Sequence, residues 1–223
     1  MREEGYSAEL VNEEIRDSTV KIDYPRVEGL PNTAAQRRIN EQIKSLVDDL
    51  TTNPDNLHPA YEPDSTEITL TYQVGVNLNG VLSLYFEVYS FPEQAANGRT
   101  VASSLNFSLD TGHNYQLSEQ FEPGSDYLDR INVIIKEEFK KKDWPQINEF
   151  ESISPEQGYY LTENTLNIYF QEVEYTPHYV GIPVFEIPYL AVSDMADPRG
   201  LIAPIIEKSD FPLSRTVINI RYR

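Results

Sequence analysis

Apolar and polar residues alternate along two neighbouring stretches of the chain. Ile68, Leu70, Tyr72, Val74 and Val76 alternate with Thr69, Thr71, Gln73 and Gly75, and Leu82, Leu84, Phe86 and Val88 alternate with Ser83, Tyr85 and Glu87. A period of two belongs to a half-buried strand, so the pair reads as a hairpin. Asn79-Gly80 suits a two-residue turn, but that register sets Val76 against Ser83 and Val74 against Tyr85, with the two apolar sets on opposite faces. A three-residue loop of Leu78, Asn79 and Gly80, with Gly80 left-handed in a bulge, pairs Val76 with Leu82, Val74 with Leu84 and Tyr72 with Phe86, and is the predicted turn. Leu105, Phe107 and Leu109 mark a third strand, closed by Asp110-Thr111-Gly112, and a meander is its simplest connection.

Elsewhere the period changes to that of a helix. Ala35, Ile39, Ile43, Leu46, Val47 and Leu50 form one stripe behind Pro31, with Thr33 and Gln36 at capping-box spacing, which predicts a helix over 33–50. Leu128, Ile131, Ile135 and Phe139 form a second stripe, capped by Ser125 and ending on Lys140, Lys141 and Lys142 before Pro145, as the helix dipole favours. Both stripes are expected to cover one face of a shared sheet. Arg16 to Val27 reads as an edge strand because Pro25 cannot donate to a ladder. Thr52 to Ser65 reads as a surface loop, and Tyr159 to Leu161, Leu166 to Phe170 and Val184 to Ile187 as further strands. Strand, helix, strands, helix, strands, with hairpins in place of regular crossovers, predicts an α+β fold: a largely antiparallel sheet with two main helices packed on it, in two consecutive parts. The parts are 1–110, a strand, helix and hairpin, and 111–196, a helix with strands.

Composition then narrows the function. Eighteen Lys and Arg against 36 Asp and Glu give a net charge of −18, which repels a phosphate backbone and argues against a nucleic-acid partner. No stretch has the roughly 20 apolar residues of a membrane span, and Met1 to Val20 is acidic without a basic-then-apolar targeting pattern. The chain has no cysteine, which excludes disulfides and thiolate metal sites and tilts the compartment toward the cell exterior. His58, His113 and His178 lie in loop-like segments without metal-ligand spacing, so neither a metal nor a cofactor is expected. No phosphate-binding glycine motif or nucleophile elbow occurs. Glu163, Glu172, Glu174 and Glu186 cluster near the last strands, where a pair at glycosidase separation would make a carboxylate-dependent hydrolase. Solvated surface charge explains them more simply. The segment Tyr159 to Tyr189 holds an aromatic loop, EVEYTPHYVG, between two strands. Its Tyr175, His178 and Tyr179 read either as a rigid contact surface or as rings packing the loop onto the sheet.

Four stretches in this order, KIDYPRVEGLPNTAAQRRIN, LSLYFEVYS, NFSLDTGHNYQLSEQFEPGSDYLDRIN and YYLTENTLNIYFQEVEYTPHYVGIPVFEIPY, resemble a cell-envelope domain family. That family includes the ectodomain of the lysozyme-sensing anti-sigma factor RsiV, the non-catalytic N-terminal region of the peptidoglycan deacetylase PdaC and a mycobacterial secreted antigen. The resemblance spans about Val20 to Tyr189 and leaves 197–223 as a tail outside it. It implies a non-enzymatic, extracytoplasmic ligand-binding or sensing domain at a bacterial cell surface, with a basic protein such as lysozyme or a cell-wall glycan as partner. In the family a Gly-Gly-Ala-His-Gly type loop often follows the second hairpin strand, whereas here Pro92 to Gly98 reads PEQAANG, with Asn97 where the histidine would fall. The binding surface is expected on the loops Phe91 to Arg99 and Glu172 to Gly181, with Phe91, Asn97, Arg99, Glu172, Tyr175, His178 and Tyr179 as candidate contacts, because loops held by a rigid sheet carry function more often than the sheet does.

Overall fold

The computed structural model describes residues 6–207. The N-terminal residues 1–5 and residues 208–223 of the expected tail lie outside the described residues. The chain forms β1 (Glu9–Arg16), β2 (Val20–Glu28), α1 (Thr33–Thr52), β3 (Thr66–Leu78), β4 (Val81–Pro92), β5 (Arg99–Ser108), α2 (Tyr127–Lys142), β6 (Tyr159–Leu161), β7 (Thr165–Tyr169), β8 (Val184–Pro188) and the short α3 (Ile202–Ile206). The class is α+β with antiparallel pairing dominant, as the pattern predicts. The strands divide into a five-stranded sheet in chain order, β1 to β5, and a three-stranded sheet, β6 to β8. Among the described residues, the only parallel ladder joins Val20–Ile22 of β2 to Ile68–Leu70 of β3.

The two main helices therefore do not share a sheet. The α1 stripe, including Ile39 and Ile43, enters a core with Leu70, Leu82, Leu84, Phe86 and Phe107 of the large sheet, while Leu46 at its margin is only partly buried. Ile131, Ile135 and Phe139 of α2 enter a second core with Leu161, Leu166, Ile168, Phe185 and Ile187 of the small sheet. Each fully buried Leu, Ile or Phe contributes about 1.5–3 kcal/mol relative to exposure. Leu201, Ile202 and Ile205, beyond the family-like stretch, belong to the second core as well.

Several sequence expectations shift by local detail. β2 is not an edge strand, because β1 pairs along its whole length and sets Pro25 opposite Asn12. Pro25 is tolerated because the ladder to β3 stops at Ile22, so the missing N–H interrupts nothing there. Helix α1 is capped by Asn32 rather than Thr33, its side chain accepting from the N–H groups of Ala34 and Ala35, while Gln36 accepts from Leu30 N–H. The Ser125 hydroxyl donates to the Glu122 carbonyl instead of capping α2, which begins after Asp126.

The hairpin turn also differs from expectation. Leu78 pairs directly with Val81 across Asn79-Gly80, both left-handed with φ of 55° and 78°, as the two-residue turn requires. The slip needed to align the apolar faces is taken up by a bulge at Gly75, after which Val74 meets Leu84 and Tyr72 meets Phe86. Beyond the bulge Val76 faces Ser83, and Val76 and Val81 enter the second core while Leu82 and Leu84 stay in the first. One hairpin thus supplies both cores, so its far end has no need of a single apolar face.

Candidate functional site

The site is built on the outer edge of β5. A sheet edge exposes unpaired N–H and C=O groups and is usually covered or blunted. Here side chains from the second part take those places. The Gln171 amide donates to the Ala102 carbonyl at 2.9 Å and accepts from Ala102 N–H at 3.0 Å, reproducing a strand's two bonds with one side chain. Glu172 Oε2 accepts from Thr100 N–H at 2.9 Å. His178 Nε2 lies 3.0 Å from the Gly98 carbonyl, which can only accept, so Nε2 carries the proton and donates. Glu172 Oε1 is 3.6 Å from the same nitrogen. The two loops proposed from sequence thus lie side by side, clamped at Gly98, Thr100 and Ala102.

Below the clamp a polar network fastens the two sheets. Ser83 Oγ donates to Asn106 Oδ1 at 2.7 Å and accepts from Leu161 N–H at 2.8 Å, and the Asn106 amide donates to the Tyr159 carbonyl at 2.9 Å. Tyr85 packs on Tyr160 and Tyr169 with ring centroids 4.8 and 5.3 Å away and donates to Glu87. Burial pushes the Tyr169 phenol up to about 12 and the Tyr85 phenol further, so both remain neutral donors at any physiological pH. The loop therefore sits on a fixed foundation, as a preorganised contact surface requires.

Within the loop after β7 the candidates separate. Tyr175 packs against Phe170, Phe150 and Phe139 with centroids 4.9, 5.5 and 6.3 Å away, so it supports the loop from beneath. Its backbone carbonyl accepts from Ile147 N–H, and Asn148 donates to the Glu174 carbonyl. Tyr179 is 74% exposed. Val173, also exposed, has a left-handed φ of 63°, which costs a β-branched residue about 1–2 kcal/mol. The turn holds it there: Glu172 is tied to Thr100, and Glu174 accepts from Gln171 N–H. Strain kept by a fully tied turn is a feature found at ligand-contacting loops.

On the other side of the clamp, Arg99 donates to the Leu57 carbonyl at 2.6 Å, holding the segment before His58 against β5. Asn97, with His58, Glu62, Pro92, Glu93 and Gln94, lines an open cleft of about 520 Å³. His58 Nδ1 accepts from Ala60 N–H, which places its proton on Nε2. Phe91 stacks beside Tyr89, centroids 6.3 Å apart and planes 10° from parallel, and the Tyr89 ring lies against Gly98, where a Cβ would overlap it. Tyr89 is the functional candidate that sequence reasoning missed. It occupies a polar position of an alternating strand, and the signal was an aromatic where a small polar residue would serve.

Among the described residues, no three His, Asp or Glu side chains gather as a metal site would require. Of the acids considered for catalysis, Glu172 and Glu174 are engaged by backbone amides. His113 pairs with Glu119 at 2.9 Å and takes no part in the clamp.

Residues 119–190 match the model of a family described as "Protein of unknown function (DUF3298)". No curated protein matches the chain. Among solved structures, the chain is similar to a DUF3298 family member from Bacteroides fragilis NCTC 9343, with a TM-score of 0.61 and 14% identity over 92% of this chain and 98% of that one. It is also similar to a DUF3298 family protein from Pseudomonas aeruginosa PAO1, with a TM-score of 0.64 and 15% identity over 86% of this chain and 94% of that one. At these identities the likeness is one of fold. The matched stretch runs from the turn before α2 through β8 and so contains the aromatic loop and its clamp residues Gln171, Glu172 and His178. Among the described residues, no helix is long and apolar enough to cross a membrane.

Proposed function

We propose that this chain is a non-enzymatic ligand-binding or sensing domain acting outside the membrane of a bacterium, and that its contact face is the seam where loop 91–99 meets loop 171–181. The observation that carries this reading is the clamp itself. Three separate side chains, Gln171, Glu172 and His178, hold the two loops on β5 and leave Tyr179 and Tyr89 open to solvent. Tyrosines with large exposed rings on a fixed base bind at small entropic cost. The resemblance to the RsiV and PdaC domains supports an envelope setting, and the net charge of −18 favours a basic protein ligand such as lysozyme through electrostatic steering. A glycan ligand is the second reading, favoured by the amides and carboxylates of the cleft around Asn97 and Gln94. It loses Tyr175 as a stacking ring, because that ring is packed among phenylalanines.

Titration with lysozyme at low and high salt, against titration with soluble wall glycan fragments, separates the two. The proposed reading gives association with lysozyme that slows on the order of tenfold or more as salt rises from tens of millimolar to about half molar. Tyr179→Ala should weaken it about 5- to 30-fold without changing the thermal melt. Salt-insensitive glycan binding with no lysozyme binding would transfer the face to the second reading.

A further inference from the structure

We infer that Tyr89 and Phe91 form a subsite for the guanidinium group of an arginine presented by a protein partner. This rests on the contact face proposed above and adds the chemistry of one position on it. The two rings are neighbours at alternate positions of β4, so they project from the same face of the large sheet. The two stacked, near-parallel rings form an aromatic strip along the strand. The Tyr89 ring is backed by the Cα of Gly98 and is 42% exposed.

Carboxylates bracket this strip. Glu87 lies two residues before Tyr89 on the same face, with one oxygen accepting from Tyr85. Glu67 is the direct cross-strand partner of Phe91 and is exposed; directly opposed side chains lie about 5 Å apart at Cβ. Glu62 and Glu93 line the cleft next to it. Among the described residues none of these four carboxylates has an ion-pair partner, although 11 such pairs form elsewhere. Arg99, at the start of β5, is turned toward the Leu57 carbonyl. Among the described residues the face thus presents aromatic π-surface and negative charge that no ion pair compensates.

A neutral sugar would stack on a ring and donate hydroxyls to a carboxylate but leave the negative charge uncompensated, and a lysine ammonium would pair the charge with only a point contact on the rings. A guanidinium uses both: its plane stacks on the aromatic strip, and its fork of N–H donors meets a carboxylate at the strip's end.

The test compares two synthetic peptides of equal length and charge, an alternating arginine–glycine decamer and the corresponding lysine–glycine decamer, by titration at one salt concentration. The wild type should bind the arginine peptide about 3- to 30-fold more tightly. Tyr89→Ala should abolish that preference while leaving lysine-peptide affinity within about twofold. Gly98→Ala, which pushes the ring off its seat, should reduce the preference in the same direction. If either variant fails to fold, Glu67→Gln on the exposed surface replaces it, with a loss of at least about threefold for the arginine peptide expected. Equal affinity for the two peptides, or a preference that survives Tyr89→Ala, overturns the inference. So does a chitin oligosaccharide that binds with the same dependence on Tyr89. Retained, Tyr179-dependent lysozyme binding alongside such a result would sink the arginine subsite alone, whereas a wild type that binds neither lysozyme nor wall glycan would sink the contact face with it.

Discussion

Gly75→Ala should destabilise the protein by roughly 2–4 kcal/mol, a large effect for the addition of one methyl group. Gly75 is the extra residue of the bulge that realigns β3 on β4. A Cβ there would overlap the carbonyl oxygen of Leu161 and crowd the Tyr160 ring at 3.2 Å. A backbone carbonyl cannot swing aside as a side-chain tip does, so β6 must retreat. Its retreat pulls Leu161 N–H from Ser83 and the Tyr159 carbonyl from Asn106, leaving buried polar groups without partners, each at a cost of about 1–3 kcal/mol. Urea denaturation of the variant checks this. A loss below about 1 kcal/mol would show that the small sheet floats on the large one, and the foundation ascribed to the contact face would fall with it.

The second large effect concerns the cores. Ile43→Ala and Ile135→Ala should each cost about 2–5 kcal/mol through lost transfer energy and the cavity left behind. Ile43 is 1% exposed and Ile135 0%. They lie in separate cores, so the two losses should add within about 0.5 kcal/mol in the double variant. Because the β3–β4 hairpin contributes Leu82 and Leu84 to one core and Val76 and Val81 to the other, both single variants should still melt in one transition. Two transitions in either variant would show that the parts fold independently and that the hairpin does not couple them.

Legibility in the sequence followed the range of the interaction that decided each feature. The helical stripes and the strands near 159–161, 165–169 and 184–188 were readable because burial imposes its period on neighbouring residues. The hairpin pairs Tyr72–Phe86 and Val74–Leu84 were readable for the same reason, but the place of the slip was not. Gly80 and Gly75 are both glycines that can absorb one residue, and only contact with Leu161 selects Gly75. Pro25 suggested an edge because proline excludes a ladder, yet it excludes only the side on which its N–H would point. β1, with Glu9, Glu13 and Glu14, carries too much charge to announce itself as a strand. At the candidate site the loops stood out by composition, and their meeting did not, since Glu172 finds Thr100 and His178 finds Gly98 across 72 and 80 residues of chain. The division between Tyr175 beneath the loop and Tyr179 on it was equally invisible, because it depends on which ring faces Phe170.

Amide hydrogen exchange of the full chain, recorded free and in the presence of saturating lysozyme, tests the contact face most directly. The account predicts slowed exchange in residues 89–100 and 171–181, with α1, α2 and β1 unchanged. Binding that protects another surface and leaves both loops as fast as in the free protein would contradict it.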